Sequence, residues 1–165
     1  MHINDMQKYG HSYILRTLDG IDAKDCETGG VCGVWSIKNI IAHLTSTEWL
    51  LVEILEQLLE IDGDKPHIEA LFAQGFPVWN DSQVNLRKDK SYPEQWDEYI
   101  QAFERATELL AKMPDDLLRQ TGLLTWYGAE YDFEDFFVYS YYAHKREHSG
   151  HIALFKDTLT TSDEK

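Results

Sequence analysis

Three histidines, His144, His148 and His151, punctuate the run Tyr-Tyr-Ala-His-Lys-Arg-Glu-His-Ser-Gly-His-Ile near the C-terminus. A neutral imidazole is a ligand for zinc, nickel and related divalent ions, so spacing decides whether these residues can act together. With Phe137, Tyr141 and Phe155 they form a series in steps of three and four residues, which keeps one face of a helix pointed inward. At roughly 100° per residue, His144 and His148 stand one turn apart with about 6 Å between their Cβ atoms. That is close enough to share an ion, and the spacing predicts a metal site in a seam where a folded chain normally places leucine.

Metal sites use three or four protein ligands, so a partner is expected on another element. His43, in Ile40-Ile41-Ala42-His43-Leu44, lies beside an apolar stripe and is the natural candidate. The competing reading makes each histidine a core residue bonded to Tyr, Glu or a carbonyl. Three on one seam disfavour that, because each buried ring would need separate partners for its donor and its acceptor. An ion held by neutral imidazoles lowers the pKa of a water or thiol on its open position. Glu147 and Glu48 are the carboxylates to consider as general bases, although each reads first as solvated or as orienting a ligand. Tyr141 either donates to a bound oxygen or serves as a core aromatic. His2, His11 and His67 are expected to ligate nothing.

The elements that must position these residues are helical. A first helix begins after Asn4, turns Met6, Tyr9, Tyr13, Ile14 and Leu18 inward, and stops near Asp19-Gly20. Ser36 caps a second, whose apolar residues from Ile37 to Leu58 recur at helical spacing as far as about Ile61. From Asp62 to Lys90 the pattern breaks around Gly63, Pro66, Gly75 and Pro77, with one short helical piece from Pro66 to Gln74. Ser91 and Glu94 form a capping box for a third helix, with Trp96, Tyr99, Ile100, Phe103, Ala106 and Leu110 inward. Leu123 to Tyr131 suggests a short extended pair around Gly128, with Trp126, Tyr127 and the earlier Trp79 either packing or lining a pocket mouth. Asp132 caps the fourth helix, Phe133 to about Thr158, and Thr160 to Lys165 is expected to fray. The fold expected is all-α, a four-helix bundle in up-down-down-up order with a long crossover between helices two and three.

A chain of 165 residues suits one domain spanning 1–165. A formal net charge of -14 opposes contact with nucleic acid or anionic membrane, since binding would add repulsion. The absence of a membrane-spanning apolar run or signal-type start predicts a cytoplasmic protein. Cys26 and Cys32, in Cys-Glu-Thr-Gly-Gly-Val-Cys, match neither a zinc knuckle nor a redox Cys-x-x-Cys and read as free thiols, with thiol exchange the lesser alternative.

The opening Trp35-Ser36-Ile37-Lys38-Asn39-Ile40-Ile41-Ala42-His43-Leu44, with His144-x-x-x-His148 about a hundred residues later, resembles the DinB-like superfamily of four-helix-bundle proteins along most of the chain. The resemblance implies His43, His144 and His148 as ligands of a divalent metal. His151 stands where that family often has Gln, and is either a fourth ligand or a residue that orients one. The family includes transferases and isomerases dependent on low-molecular-weight thiols. The resemblance therefore implies a small-molecule substrate, a thiol cofactor, transferase or hydrolase chemistry, and homodimerisation through aromatic-rich outer faces. The alternative is a non-catalytic metal-binding or ligand-sensing bundle in a stress response.

Overall fold

The computed structural model describes residues 2–162 and is all-helical, with no strand among those residues. The long helices are α1 (Ile3–Leu18), α2 (Ile37–Leu58), α5 (Tyr92–Leu110) and α8 (His144–Ser162). Shorter ones are α3 (Pro66–Gln74), α4 (Phe76–Leu86), α6 (Asp115–Leu118) and α7 (Phe133–Phe137), and a π-helical segment (Val138–Ala143) joins α7 to α8. α2 packs along α5, while α1 packs along the π-helical segment and α8.

Local signals explain the helix starts. Ser36 Oγ accepts from Asn39 N–H at 3.2 Å and Asn39 Oδ1 accepts from Ser36 N–H at 3.0 Å. Ser91 and Glu94 repeat the exchange on α5, and Asp132 Oδ1 accepts from Asp135 N–H at 2.8 Å on α7. Each satisfies backbone donors that a helix start leaves free. The start of α3 is held from a distance: Glu53, buried on α2, accepts from His67 N–H at 3.0 Å and Ile68 N–H at 2.9 Å, and meets His67 Nδ1 at 2.5 Å.

Several expectations are corrected. α1 starts at Ile3, and its buried residues are Ile3, Gln7, Gly10 and Ile14, leaving Tyr9 half exposed. The face turns because Gly10 admits Lys145 of α8, whose Cδ would lie 3.1 Å from an added Cβ. The supposed extended pair near Gly128 is a chain of turns in which Leu124 O accepts from both Tyr127 and Gly128. α4 lies in a stretch read as irregular; Gly75, at φ 76°, turns the chain from α3 into it. The fourth helix is not continuous α. Its π-helical segment adds a residue to the turn, so the buried line runs Phe137, Tyr141, Lys145, His148 and Ile152, with His144 and His151 at its edge. α8 continues through Thr160 to Ser162, and the rest of the tail expected to fray, residues 163–165, lies outside the described residues.

The core has two apolar clusters strung along α2, one around Ile37, Ile40, Ile41 and Leu44 with Ile14, Tyr99 and Ile152. The other gathers Leu51, Ile54 and Leu55 with Trp79, Leu109, Phe133 and Phe137. Between them α2 buries a polar run, His43, Thr45, Ser46, Thr47 and Glu48. The three hydroxyls are satisfied by carbonyls of their own helix at 2.8–3.0 Å. His43 and Glu48 must find partners on other elements.

Candidate metal centre

His43 finds α8. Its Nε2 lies 2.9 Å from His144 Nε2, which lies 2.9 Å from His148 Nε2. All three donor nitrogens fall within 4.8 Å of one another, so the side chains form a group able to hold a metal ion. His43 and His148 are 4% and 5% exposed. Trp35, just before the cap of α2, packs on His43 with ring centroids 5.0 Å apart.

Burial holds the pKa of His43, His144 and His148 at about 3, with smaller contributions from neighbouring imidazoles and, at His144, from Lys145. The rings are therefore neutral near pH 7, the state in which imidazole ligates. Metal–nitrogen bonds of about 2.0–2.1 Å separate two ligands by about 3.3 Å in a tetrahedron and about 2.9 Å when adjacent in an octahedron. Both His144 separations match the second figure, so His144 stands at a distance from which it can share an ion with either neighbour. Nδ1 of His43 and of His148 is buried without a hydrogen-bond partner. The usual carboxylate or carbonyl that would orient these rings is missing at both, leaving packing to hold them.

A cavity of about 280 Å³ opens above His43 and His144. Phe76, Trp126 and Phe136 give it aromatic walls, while Asn80, Ser140 and Glu147 supply polar groups. Asn80 Oδ1 is buried and has no protein partner. Tyr141 also borders the cavity, and burial together with nearby Glu48 raises its pKa well above the ordinary tyrosine value. Phe76 and Asn80 belong to α4 and Ser140 to the π-helical segment, the two elements that periodicity conceals.

The remaining sequence candidates separate clearly. Glu48 does not border the cavity; it is fully buried, 2.5 Å from Lys145 Nζ, and accepts from Gln7 Nε2 at 2.8 Å. It is therefore neither solvated nor placed as a base. Glu147 is exposed at the cavity rim. His151 lies outside the His43, His144 and His148 group and joins Cys32 and His148 in a second one. Trp126 lines the cavity, whereas Trp79 is core and Tyr127 packs on Phe136. His2 caps α1, His11 stacks on Phe103, and His67 binds Glu53. Both cysteines are free thiols, Cys26 buried and Cys32 partly exposed; burial raises the Cys26 pKa to about 11. No described helix is long and apolar enough to cross a membrane.

Comparison of the chain with protein-family models, curated proteins and solved structures gives no match.

Proposed function

We propose that this chain is a metal-dependent protein of the DinB-like type, an up-down-down-up four-helix bundle whose His43, His144 and His148 hold a divalent ion, zinc or nickel. The proposed activity is transfer of a low-molecular-weight thiol to a small electrophile, with hydrolysis by water the close variant. The observation that carries this reading is the convergence of three imidazole nitrogens beside an aromatic-walled cavity that His43 and His144 line. The pairing of α2 with α5 and of α1 with α8 supports the bundle, and the histidine spacing supports the family.

When bound, the ion would lower the pKa of a thiol or water and so supply a nucleophile near neutral pH. The protein's own groups then divide the work. Phe76, Trp126 and Phe136 take the apolar body of a small substrate and exclude water. Asn80 Oδ1 accepts a hydrogen bond from a substrate N–H or O–H that would repay its burial. Tyr141 stays protonated and serves as a donor beside the cavity. Glu147, at the rim, takes the proton that the nucleophile releases and passes it to solvent.

The non-catalytic alternative calls for a closed site with four protein ligands. Grouping of His151 with Cys32 instead leaves three ligands and an open side toward the cavity, which favours catalysis. Elemental analysis of tag-free protein tests the proposal. We expect near-stoichiometric metal in wild type and its loss in His43→Ala and His148→Ala. A wild type that carries no metal and gains none from zinc or nickel would end the proposal.

A further inference from the structure

Cys32, His148 and His151 bring one sulfur and two imidazole ligand atoms within 4.8 Å of one another, a group that overlaps the triad at His148 alone. We propose that these three residues form a second metal site, selective for a thiophilic divalent ion such as zinc, cobalt or cadmium. The site shares His148 with the triad but does not depend on an ion being held there.

The backbone places Cys32. Cys32 and Trp35 form an isolated antiparallel bridge, with Trp35 N–H donating to Cys32 O at 3.0 Å and Cys32 N–H to Trp35 O at 3.3 Å. Val31 N–H also donates to Trp35 O, at 2.9 Å. Gly33, at φ 57°, supplies the left-handed residue within the turn. The same short loop thus packs Trp35 on His43 and fixes Cys32 against α8. His148 and His151 lie one turn apart with ring centroids at 5.7 Å. Nδ1 of each is buried without a partner, and His148 is 95% buried, so the group contains ring nitrogens that the protein leaves unused. His148 Nε2 faces His144 at 2.9 Å, which leaves Nδ1 as its second ligating atom.

Two imidazoles and a thiolate make a donor set that prefers zinc-like ions to magnesium or calcium. Binding exchanges the Cys32 S–H bond for a sulfur–metal bond and, when the triad also holds an ion, exchanges the remaining N–H of His148 for a nitrogen–metal bond, each proton going to solvent. Cys32 and His151 are partly exposed, which provides the entry path and room for a water ligand.

The experiment titrates metal-free full-length protein with cobalt(II) and follows the thiolate-to-cobalt absorption in the near ultraviolet. Wild type should develop this band. The His43→Ala/His144→Ala double variant, which has lost the triad, should keep it. Cys32→Ser should abolish the band, and His151→Ala should weaken cobalt affinity at the sulfur site at least tenfold, while both retain triad-bound metal. Absence of the band in wild type, its survival in Cys32→Ser, or its loss with the triad would each overturn the proposal. A second measurement needs no substitution: saturating zinc should slow iodoacetamide alkylation of wild-type Cys32 at least tenfold, Cys26 being buried. An unchanged alkylation rate counts against the site.

Discussion

Lys145 and Glu48 form an ion pair sealed inside the protein, Nζ to Oε1 at 2.5 Å, with side chains 2% and 0% exposed. Each belongs to an element that carries the triad, Glu48 one and a half turns after His43 and Lys145 next to His144. Gln7 completes the layer from α1, accepting from Lys145 Nζ at 2.7 Å and donating to Glu48 Oε2 at 2.8 Å. A buried pair is weak evidence for net stability, but deleting one member strands the other charge. Its geometric effect is to pin α8 against α2 and α1 at the level where the histidines must converge.

Lys145→Met is therefore expected to destabilise the protein by about 3–5 kcal/mol in urea denaturation. Combining it with Glu48→Gln should restore much of that loss, since neither partner is then an unpaired charge. A single variant within 1 kcal/mol of wild type would mean that water reaches Glu48.

Metal should stabilise the fold by mass action. At a free ion concentration about a hundred times Kd the gain is about 2.7 kcal/mol, or roughly 5–10 °C for a chain of this size. Calorimetry with excess chelator should show that loss in wild type. His148→Leu, which removes a buried imidazole lacking an Nδ1 partner, should melt at or above the metal-free wild type and ignore added zinc. Identical wild-type melting with and without chelator would support the reading of the triad as core histidines.

Acid should unfold the metal-free protein by protonating histidines. His43, His144 and His148 have folded pKa values of about 3, and His11 of about 4 through burial and Lys145, against about 6.5 in the unfolded chain. Between pH 6.5 and about 4 the unfolded state binds more protons, so stability rises with pH and is lost as pH falls. Below about pH 4.5 Glu53 adds to the loss: burial opposes its charge, but hydrogen bonds from His67 and Ile68 outweigh this and hold its pKa low. The melting temperature in chelator should fall steadily from pH 7 to pH 5. His11→Phe, which keeps the stacking on Phe103, should reduce the slope. A flat profile over that range would refute these burial assignments.

The sequence exposes those features that depend on near neighbours. Ser36 with Asn39, and Ser91 with Glu94, mark helix starts because a cap is a bond across three residues. His144 and His148 are legible as a pair because one turn of helix brings them together. Lys145, between His144 and Arg146 in a charged run, reads as solvent-facing; only Glu48 and Gln7, far away in sequence, make its burial tolerable. α4 is hidden because Gly75 and Pro77 resemble loop punctuation, whereas they end one helix and begin the next. The cavity contributions of Asn80 and Ser140 disappear with the elements that carry them. Cys32 meets His151 through a loop closed on Trp35, a contact that cysteine spacing does not encode.

The π-helical segment offers the most direct test of how the site is aimed. In a continuous α-helix, the residues that bury Phe137 and Tyr141 would also centre His144 on the buried face and turn Lys145 outward. The observed segment, Val138–Ala143, lets Phe137 and Tyr141 stay in the core while Lys145 reaches Glu48 and His144 moves to the cavity edge. Inserting one alanine between Ala143 and His144, directly after this segment, should rotate α8 by about 100° relative to α7. Helical content by circular dichroism should be nearly unchanged, because the helix survives. Metal binding by elemental analysis should fall to the level of His43→Ala, since His144 and His148 no longer face α2. Wild-type metal content in a folded insertion variant would show that the phase of α8 plays no part in aiming the histidines.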